Sequence, residues 1–302
     1  MYPIAALVKI IGTPEVIFIL QPLAAVCAAA LALFYYCRKL TDIRSAYIIT
    51  FLYLLYPALQ NSAVFDFHPG TLAMPLFFPL YYYLKKNQLF LTLFFAAAIF
   101  CFRENYAISV APLALYFLAA RAKSISSTSF NNSKRTGFAL AVASIAFFII
   151  IIFVFKPLFA GNNQDLHIIY YSPFGNTTRE ILINIFAKYY LTISMIFSKR
   201  AFLYLTAIYA PVLFLPLLNP CINLIIIPTL MINLLSNHPG TSVIDFHFQN
   251  ELIPLIFIIL IENRIENRLT IRIFDSKFAS IIILCALIIS CLYSNMFLVN
   301  AT

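Results

Sequence analysis

The stretch Val64-Phe65-Asp66-Phe67-His68-Pro69-Gly70 lies between two apolar runs, and the chain repeats its centre later as Val243-Ile244-Asp245-Phe246-His247. The similarity continues at the same spacing, from Pro75-Leu76-x-Phe78 to Pro254-Leu255-x-Phe257. Seven of the fifteen aligned positions are identical. The chain therefore contains a local internal repeat in which an Asp and a His twice precede an apolar segment.

The composition indicates an integral membrane protein. Hydrophobic residues make up 63% of the 302 positions and charged residues only 10%, so the chain cannot cover a soluble surface. The first residues lack a basic start followed by a small-residue cleavage site, so we expect no cleavable signal peptide. The six cysteines lie in or beside apolar runs and include no CxxC pair, which argues against disulfide or metal roles.

Apolar runs of membrane-crossing length recur along the whole chain. They predict an all-α, polytopic transmembrane helix bundle of about ten spans, forming a single integral membrane domain over residues 1–302. The predicted spans are 16–37, 46–60, 71–84, 89–102, 106–120, 138–156, 201–218, 221–235, 251–262 and 278–298.

The basic residues predict how the bundle is oriented in the cell membrane. If the first span runs inward, thirteen of the twenty Lys and Arg residues fall in cytoplasmic loops, as the positive-inside rule requires. The formal charge of +9 then reflects topology, and we expect no nucleic-acid partner. Both Asp-Phe-His segments and the pair Arg103-Glu104 emerge together on the extracytoplasmic face.

Residues 180–198 leave one alternative open. They form either an eleventh span, which would reverse everything after it, or a helix lying in the outer membrane interface. Asn184 and Lys188 favour the interfacial helix, because a span would place both of them in hydrocarbon.

The repeated Asp-His pairs are the first candidate site. Ionisable groups beside hydrocarbon are costly and tend to face an internal cavity with a partner. Asp66 with His68, and Asp245 with His247, can supply a general base, a divalent-metal ligand pair or a phosphate partner. Glu251 follows the second pair at the mouth of its helix. Helix capping and interface hydrogen bonding account for the same residues without any function.

Two further stretches are candidates. Arg103-Glu104 interrupts a long apolar region, and its guanidinium can bind a phosphate in bidentate fashion, with Glu104 as its resting partner. The longest outer loop carries Asp165, His167, Tyr170 and Tyr171 and is interpreted either as a substrate-covering loop or as a connection. His238, in "SNHPGTS", is interpreted as structural. The chain has no P-loop, GxGxxG, GxSxG or HExxH motif, which argues against ATP-driven transport.

Three stretches carry a family resemblance: "LLYPALQNSAVFDFHPGTLAMPLFFPLYYYLKK", "CFRENYAISVAPLALYFL" and "LLSNHPGTSVIDFHFQNELIPLIF". In order and spacing they resemble the family of polytopic membrane proteins known as domain of unknown function 2079, which in turn resembles the GT-C glycosyltransferases. The resemblance implies transfer of a sugar from a polyprenyl-phosphate carrier at the outer membrane face. The opening of the chain is similar to the family segment that follows its first outer loop. We therefore expect the family's first helix and acidic first loop to be lacking here.

The resemblance assigns roles as hypotheses. Asp66 or Glu104 would be catalytic, binding a metal or orienting the acceptor, while His68, Arg103, Asp245, His247 and Glu251 would bind the substrate. The partners would be membrane lipid, the polyprenyl-phosphate sugar donor and, if the chain is inactive alone, a partner subunit. A secondary transporter with two repeats, or a non-catalytic subunit that binds the carrier lipid, are the alternatives.

Overall fold

The computed structural model of the protein describes residues 15–120, 127–155, 166–266 and 278–300, together with residues 9, 12, 13, 158 and 274. Every regular element in these ranges is helical, so the predicted all-α class is confirmed. The helices are α1 (Val16–Leu40), α2 (Ile43–Leu54), α3 (Pro57–Val64), α4 (Met74–Lys85), α5 (Leu89–Phe100), α6 (Tyr106–Ala120), α7 (Ser127–Ile150), α8 (Leu166–Ile169), α9 (Thr178–Ala187), α10 (Tyr189–Ile196), α11 (Lys199–Tyr209), α12 (Pro220–Asn223), α13 (Ile227–Leu234), α14 (Leu252–Glu266) and α15 (Phe278–Asn300).

Two helices of the described part are long and apolar enough to cross a membrane. They are α1, with 25 residues, and Lys134–Phe155, with 22 residues, in which α7 continues as a π-helix. A third crossing results if α10 and Lys199–Val212, which are bent by 49° to each other, count as one span. The shorter apolar helices are Ile43–Leu54, Leu89–Phe100, Tyr106–Ala119, Pro220–Leu234 and Ser280–Tyr293. The number ten therefore stays a prediction.

Several predicted spans are interrupted, which shortens their helices. The run 46–60 breaks after Leu54, and Pro57 occupies the first turn of α3, where its missing N–H costs nothing. The run 201–218 breaks after a short 3₁₀ turn, where Leu213 and Phe214 adopt left-handed backbone with φ of 52° and 56°. Asn263 donates its amide to the freed carbonyls of Leu215 (2.9 Å) and Pro216 (3.1 Å). The break is therefore stabilised by a buried side chain.

Helix α14 lies at the centre of the bundle, because every residue from Leu252 to Asn263 is buried. It packs against α4, the helix that follows the first copy of the repeat. The ring of Tyr53 lies edge-on to Phe78 at 6.0 Å and to Phe257 at 5.0 Å, and these two phenylalanines occupy equivalent repeat positions. The internal repeat thus produces two neighbouring helices in the core.

One end of α4 and α14 is fastened by ion pairs. The Lys85 ammonium lies 2.5 Å from a Glu262 carboxylate oxygen, which also accepts a hydrogen bond from the Tyr81 hydroxyl at 2.6 Å. Arg264 pairs with Asp42 at 2.7 Å. We call this the basic end of the bundle, where α1 and α4 terminate. The opposite end, where α4 and α6 begin, is the site end.

Residues 180–198 form no continuous helix. Helices α9 and α10 meet at Lys188, whose ammonium donates to the Pro173 carbonyl at 2.9 Å. The Asn184 amide donates to the Phe174 carbonyl at 2.6 Å. Both polar side chains are thus bound to loop carbonyls. A straight eleventh span is therefore absent, while the location of α9 and α10 in the outer interface stays a prediction.

Candidate functional site

The two Asp-Phe-His segments meet at the site end. The imidazole rings of His68 and His247 stack with centroids 3.2 Å apart and an angle of 15° between their planes. Phe65 lies 5.2 Å from Phe246 and 5.7 Å from His247, again ring to ring. The two segments are therefore in contact, while the membrane face on which they lie stays a prediction.

Residues at equivalent repeat positions touch each other here. His68 and His247 are one such pair, and Thr71 and Asn250 are another, since the Asn250 amide donates to the Thr71 hydroxyl oxygen at 2.8 Å. Thr71 therefore ties the two copies together, and Ala73 is the residue that directly precedes α4.

Gln21, on α1, holds the first segment in place. Its amide donates to the Phe65 carbonyl at 2.8 Å, and its oxygen accepts the backbone N–H of His68, also at 2.8 Å. Gln21 is buried, so these hydrogen bonds satisfy a polar group that would be costly in an apolar bundle. No sequence pattern pointed to this residue, because a lone Gln within an apolar run has no local partner.

The carboxylates of the two segments lie apart from the imidazoles. Asp66 is exposed, and His68 Nδ1 contacts the Asp66 backbone carbonyl at 2.8 Å and not the carboxylate. Asp245 is half-buried, and burial raises the pKa of its carboxyl group. Neither carboxylate forms a hydrogen bond or ion pair with the residues that the structure describes. The expected Asp-His general-base pairs are therefore not assembled side chain to side chain.

The surroundings at the site end keep the imidazoles of His68 and His247 neutral. Burial, followed by the neighbouring His68, Arg103 and His238, lowers the pKa of His247 to about 3. Burial is also the main cause that lowers the pKa of His68, against the opposing hydrogen bond to the Asp66 carbonyl. Both rings are consequently uncharged near neutral pH, so they can accept or relay hydrogen bonds but do not add positive charge.

Arg103 and Glu251 supply the charge at the site end. Glu251 is buried just before α14 and accepts a hydrogen bond from the Ser109 hydroxyl. Among the described residues no carboxylate forms an ion pair with Arg103. The expected pairing of Arg103 with Glu104 is therefore not formed, and the guanidinium is left for another anion.

Arg103 lies at the wall of a cavity of about 700 Å³. Asn105 lines it beside Arg103, and Phe148, Ile152, Ile185 and Phe186 line it with apolar surface. Tyr170 and Tyr171 of the predicted covering loop also face it, and the Tyr171 hydroxyl donates to the Ile232 carbonyl at 2.8 Å. Asp165 and the His167 side chain lie outside the described residues.

The cavity has an apolar side opening. Leu182, Phe186, Tyr189 and Ile193 line it from α9 and α10, yet 47%, 80%, 66% and 50% of their surfaces are exposed. These exposed side chains make one wall of the cavity apolar at its mouth.

His238 belongs to the same site, which the sequence interpretation missed. Its ring lies 4.6 Å from that of Tyr170 and 5.7 Å from that of Phe248, which in turn stacks on His247 at 4.4 Å. A signal was present, because His238-Pro239-Gly240-Thr241 repeats His68-Pro69-Gly70-Thr71 identically. The structural interpretation also holds, since His238 Nδ1 accepts the Gly240 N–H at 3.1 Å.

A resident metal ion would need a cluster of metal-ligating side chains. In the ranges that the structure describes, no three His, Cys, Asp or Glu side chains come close enough to hold one. The residues of the site end instead combine one guanidinium, buried acceptors and aromatic rings beside an apolar cavity. This set of groups suits an amphipathic anion better than a cation.

The family comparison agrees with the membrane character of the fold. The chain matches no curated protein and no solved structure. A family model described as "Predicted membrane protein (DUF2079)" matches it over residues 1–302. With apolar helices long enough to cross a membrane and a family match over its whole length, the chain belongs to the DUF2079 family of predicted membrane proteins.

Proposed function

We propose that the protein is a GT-C-like membrane glycosyltransferase that takes a polyprenyl-phosphate-linked sugar and transfers the sugar at the extracytoplasmic face. The observation that carries this proposal is the apolar cavity of about 700 Å³ with Arg103 at its wall. Its volume lies in the range of small-molecule sites, and its surface is mostly apolar, as the chain of a lipid carrier requires.

The side opening supports a lipid ligand over a water-soluble one. A ligand that enters between exposed apolar residues such as Phe186 and Ile193 must already be dissolved in the membrane. A lipid phosphate meets this condition, because its chain partitions into hydrocarbon while its headgroup stays near the interface. The chain would occupy the part lined by Ile152 and Ile185, which leaves the headgroup beside Arg103.

Arg103 is the proposed phosphate ligand. A guanidinium binds two phosphate oxygens through a planar fork, and within a mostly apolar cavity this charge-assisted contact is stronger than in water. Asn105, two residues further on, also lines the cavity and would add a neutral hydrogen-bond donor. The neutral His68 or His247 would accept hydrogen bonds beside the headgroup.

In the proposed transfer, the acceptor hydroxyl attacks the anomeric carbon as the bond from that carbon to the phosphate oxygen breaks. The leaving lipid phosphate keeps the electron pair, next to Arg103. The acceptor proton passes to a carboxylate, for which Asp66 and Glu104 are the candidates. Asp245 and Glu251 would contact the headgroup or the acceptor, Glu251 through the hydrogen-bonded Ser109.

Binding tests the proposal first. Purified protein in nanodiscs is titrated with a fluorescent polyprenyl phosphate, and Arg103→Gln is compared with Arg179→Gln, a matched change at an exposed arginine one residue from the cavity wall. We expect binding to weaken about tenfold in Arg103→Gln and to stay unchanged in Arg179→Gln. Equal affinities of both variants would refute the cavity as the phosphate site.

Turnover then separates the enzyme from its alternatives. Sugar transfer by the wild-type protein, lost in Asp66→Ala or Glu104→Ala while lipid binding is kept, supports the glycosyltransferase. Lipid binding without transfer in the presence of donor and acceptor identifies a non-catalytic lipid-binding subunit. The contact between equivalent repeat positions favours a secondary transporter as the second candidate, and proton-coupled uptake into proteoliposomes would establish it.

A further inference from the structure

The basic end carries a second polar cluster, on the opposite side of the bundle from the cavity. Helices α1 and α4 end there side by side, and tyrosines fill the seam between them. The ring of Tyr36 lies 4.9 Å from that of Tyr35 and 5.0 Å from that of Tyr82. We call Tyr35, Tyr36 and Tyr82 the tyrosine seam.

A lysine lies over each outer ring of the seam. The Lys39 ammonium is 5.0 Å from the Tyr35 ring centroid, and the Lys86 ammonium is 5.8 Å from that of Tyr82. Both lysines are exposed, so their stems lie along the rings while their charges face outward. Two ammonium groups thus flank one continuous aromatic surface.

In the part of the chain that the structure describes, neither Lys39 nor Lys86 forms an ion pair. Asp42 is paired with Arg264, and Glu262 is paired with Lys85. Arg38 is exposed at the same end and adds to the charge of the two lysines. An anionic ligand at this end would therefore meet an excess of positive charge.

An apolar stripe leads from the seam toward the middle of the bundle. Leu31, Tyr35 and Lys39 are spaced four residues apart on α1, so they lie on one face of the helix. Leu31 is 70% exposed and Tyr35 is 53% exposed. The stripe passes from an apolar to an aromatic to a cationic residue, in the order of the acyl chains, the interface and the headgroup of a lipid leaflet.

We propose that the tyrosine seam with Lys39 and Lys86 binds an anionic phospholipid of the cytoplasmic leaflet. The phosphate lies between the two ammonium groups, the tyrosine hydroxyls donate to the headgroup, and one acyl chain follows Leu31. A single lysine near the C-terminus of a helix needs no ligand to explain it. Its charge is favourable at that end of the helix dipole, and its long side chain reaches the membrane interface. Two lysines that flank one aromatic seam would hold the phosphate from both sides.

Native mass spectrometry tests this proposal on the full-length protein released from nanodiscs of mixed phosphatidylglycerol and phosphatidylcholine. Lys39→Gln with Lys86→Gln is compared with Lys134→Gln with Arg135→Gln, which removes the same charge from exposed residues of α7. We expect wild type and control to retain phosphatidylglycerol preferentially, and the seam variant to lose about fivefold in preference for each lysine removed. A Lys39→Arg with Lys86→Arg variant keeps both charges and should keep the preference.

Equal losses in the seam and control variants would overturn the proposal, because the lipid would then respond to net charge alone. Absence of any preference in the wild-type protein would overturn it as well. All four lysine and arginine side chains are exposed, so the variants should fold, and circular dichroism verifies this. The seam lies at the other end of the bundle from Arg103, so neither outcome bears on the proposed sugar transfer.

Discussion

Gly70 lies in a tightly packed part of the site end. A Cβ atom at this position would collide with the Tyr106 hydroxyl and lie 3.6 Å from Cδ of Arg103. Tyr106 is fully buried, and its hydroxyl has no hydrogen-bond partner among the described residues. The absence of a side chain at Gly70 therefore sets the position of the turn that carries Arg103.

We expect Gly70→Ala to destabilise the protein by about 1–3 kcal/mol, because the added methyl group overpacks a filled space. Tyr106→Phe alone should change little, since the hydroxyl it removes makes no hydrogen bond in the described structure. The double variant should recover much of the loss, because the nearest clashing atom is then gone. Thermal unfolding in detergent measures all three, and a double variant as unstable as Gly70→Ala would contradict this explanation.

The residues of the site could be predicted from the sequence only in part. The distribution of basic residues predicted that both Asp-Phe-His segments lie on one face of the membrane, but it did not indicate that the His68 and His247 rings would stack on each other. It did not indicate that Asp66 would be exposed or that Gln21 would bind the segment from 47 positions away along the chain. Hydrogen bonds between distant positions leave no local pattern, so sequence reasoning had no means to find them.

Among the helices and their connections, the break after α11 is the feature that most needs stabilising contacts. Two consecutive left-handed residues, neither of them glycine, cost about 1–3 kcal/mol each. The Asn263 amide donates to the carbonyls of Leu215 and Pro216, and the Asn223 amide also donates to Pro216, so these oxygens have hydrogen-bond donors in apolar surroundings. The break is thus stabilised by a residue of the central helix α14.

Asn263→Leu, which is close in size, should destabilise the protein by about 1–3 kcal/mol, because the two buried hydrogen bonds from the Asn263 amide to Leu215 and Pro216 are lost. Asn237→Leu is the matched control, since Asn237 is exposed. Unfolding temperatures of the two variants in the same detergent give the comparison. A loss of similar size in the control would mean that the amide of Asn263 does not stabilise the break.

The same break explains where the predicted spans were inaccurate. Apolar runs locate helices correctly, because burial in lipid requires a long apolar stretch. They do not show where a helix stops within the run, as after Leu54 or Tyr209, since apolar residues fill both the helix and the break. Prolines such as Pro57 and Pro216 marked these places, but proline also occurs inside α4, at Pro79, without ending the helix.

In the molecule as a whole, the polar residues lie at two opposite ends of the helix bundle. His68, Arg103 and His247 lie at one end, and Lys85, Glu262 and Arg264 lie at the other. The positive-inside distribution predicts that the first end faces outward and the second faces the cytoplasm.

Cysteine labelling checks this orientation. In a variant without the six native cysteines, Asn176→Cys should react in intact cells with a membrane-impermeant maleimide. Lys86→Cys should react only after the membrane is opened, because it lies at the basic end. Both native residues are exposed, so reactivity reports location and not burial. Reaction of both positions from the same side would show that the orientation is wrong.

The side opening between Phe186 and Ile193, through which the proposed lipid would enter, also determines how binding of that lipid should be quantified. A molecule that arrives through hydrocarbon is supplied at its mole fraction in the bilayer, and its aqueous concentration is nearly irrelevant. Adding empty vesicles or detergent to a titration would dilute it and shift the apparent dissociation constant, although nothing in the protein had changed. Affinities become comparable between preparations only when expressed per mole of lipid.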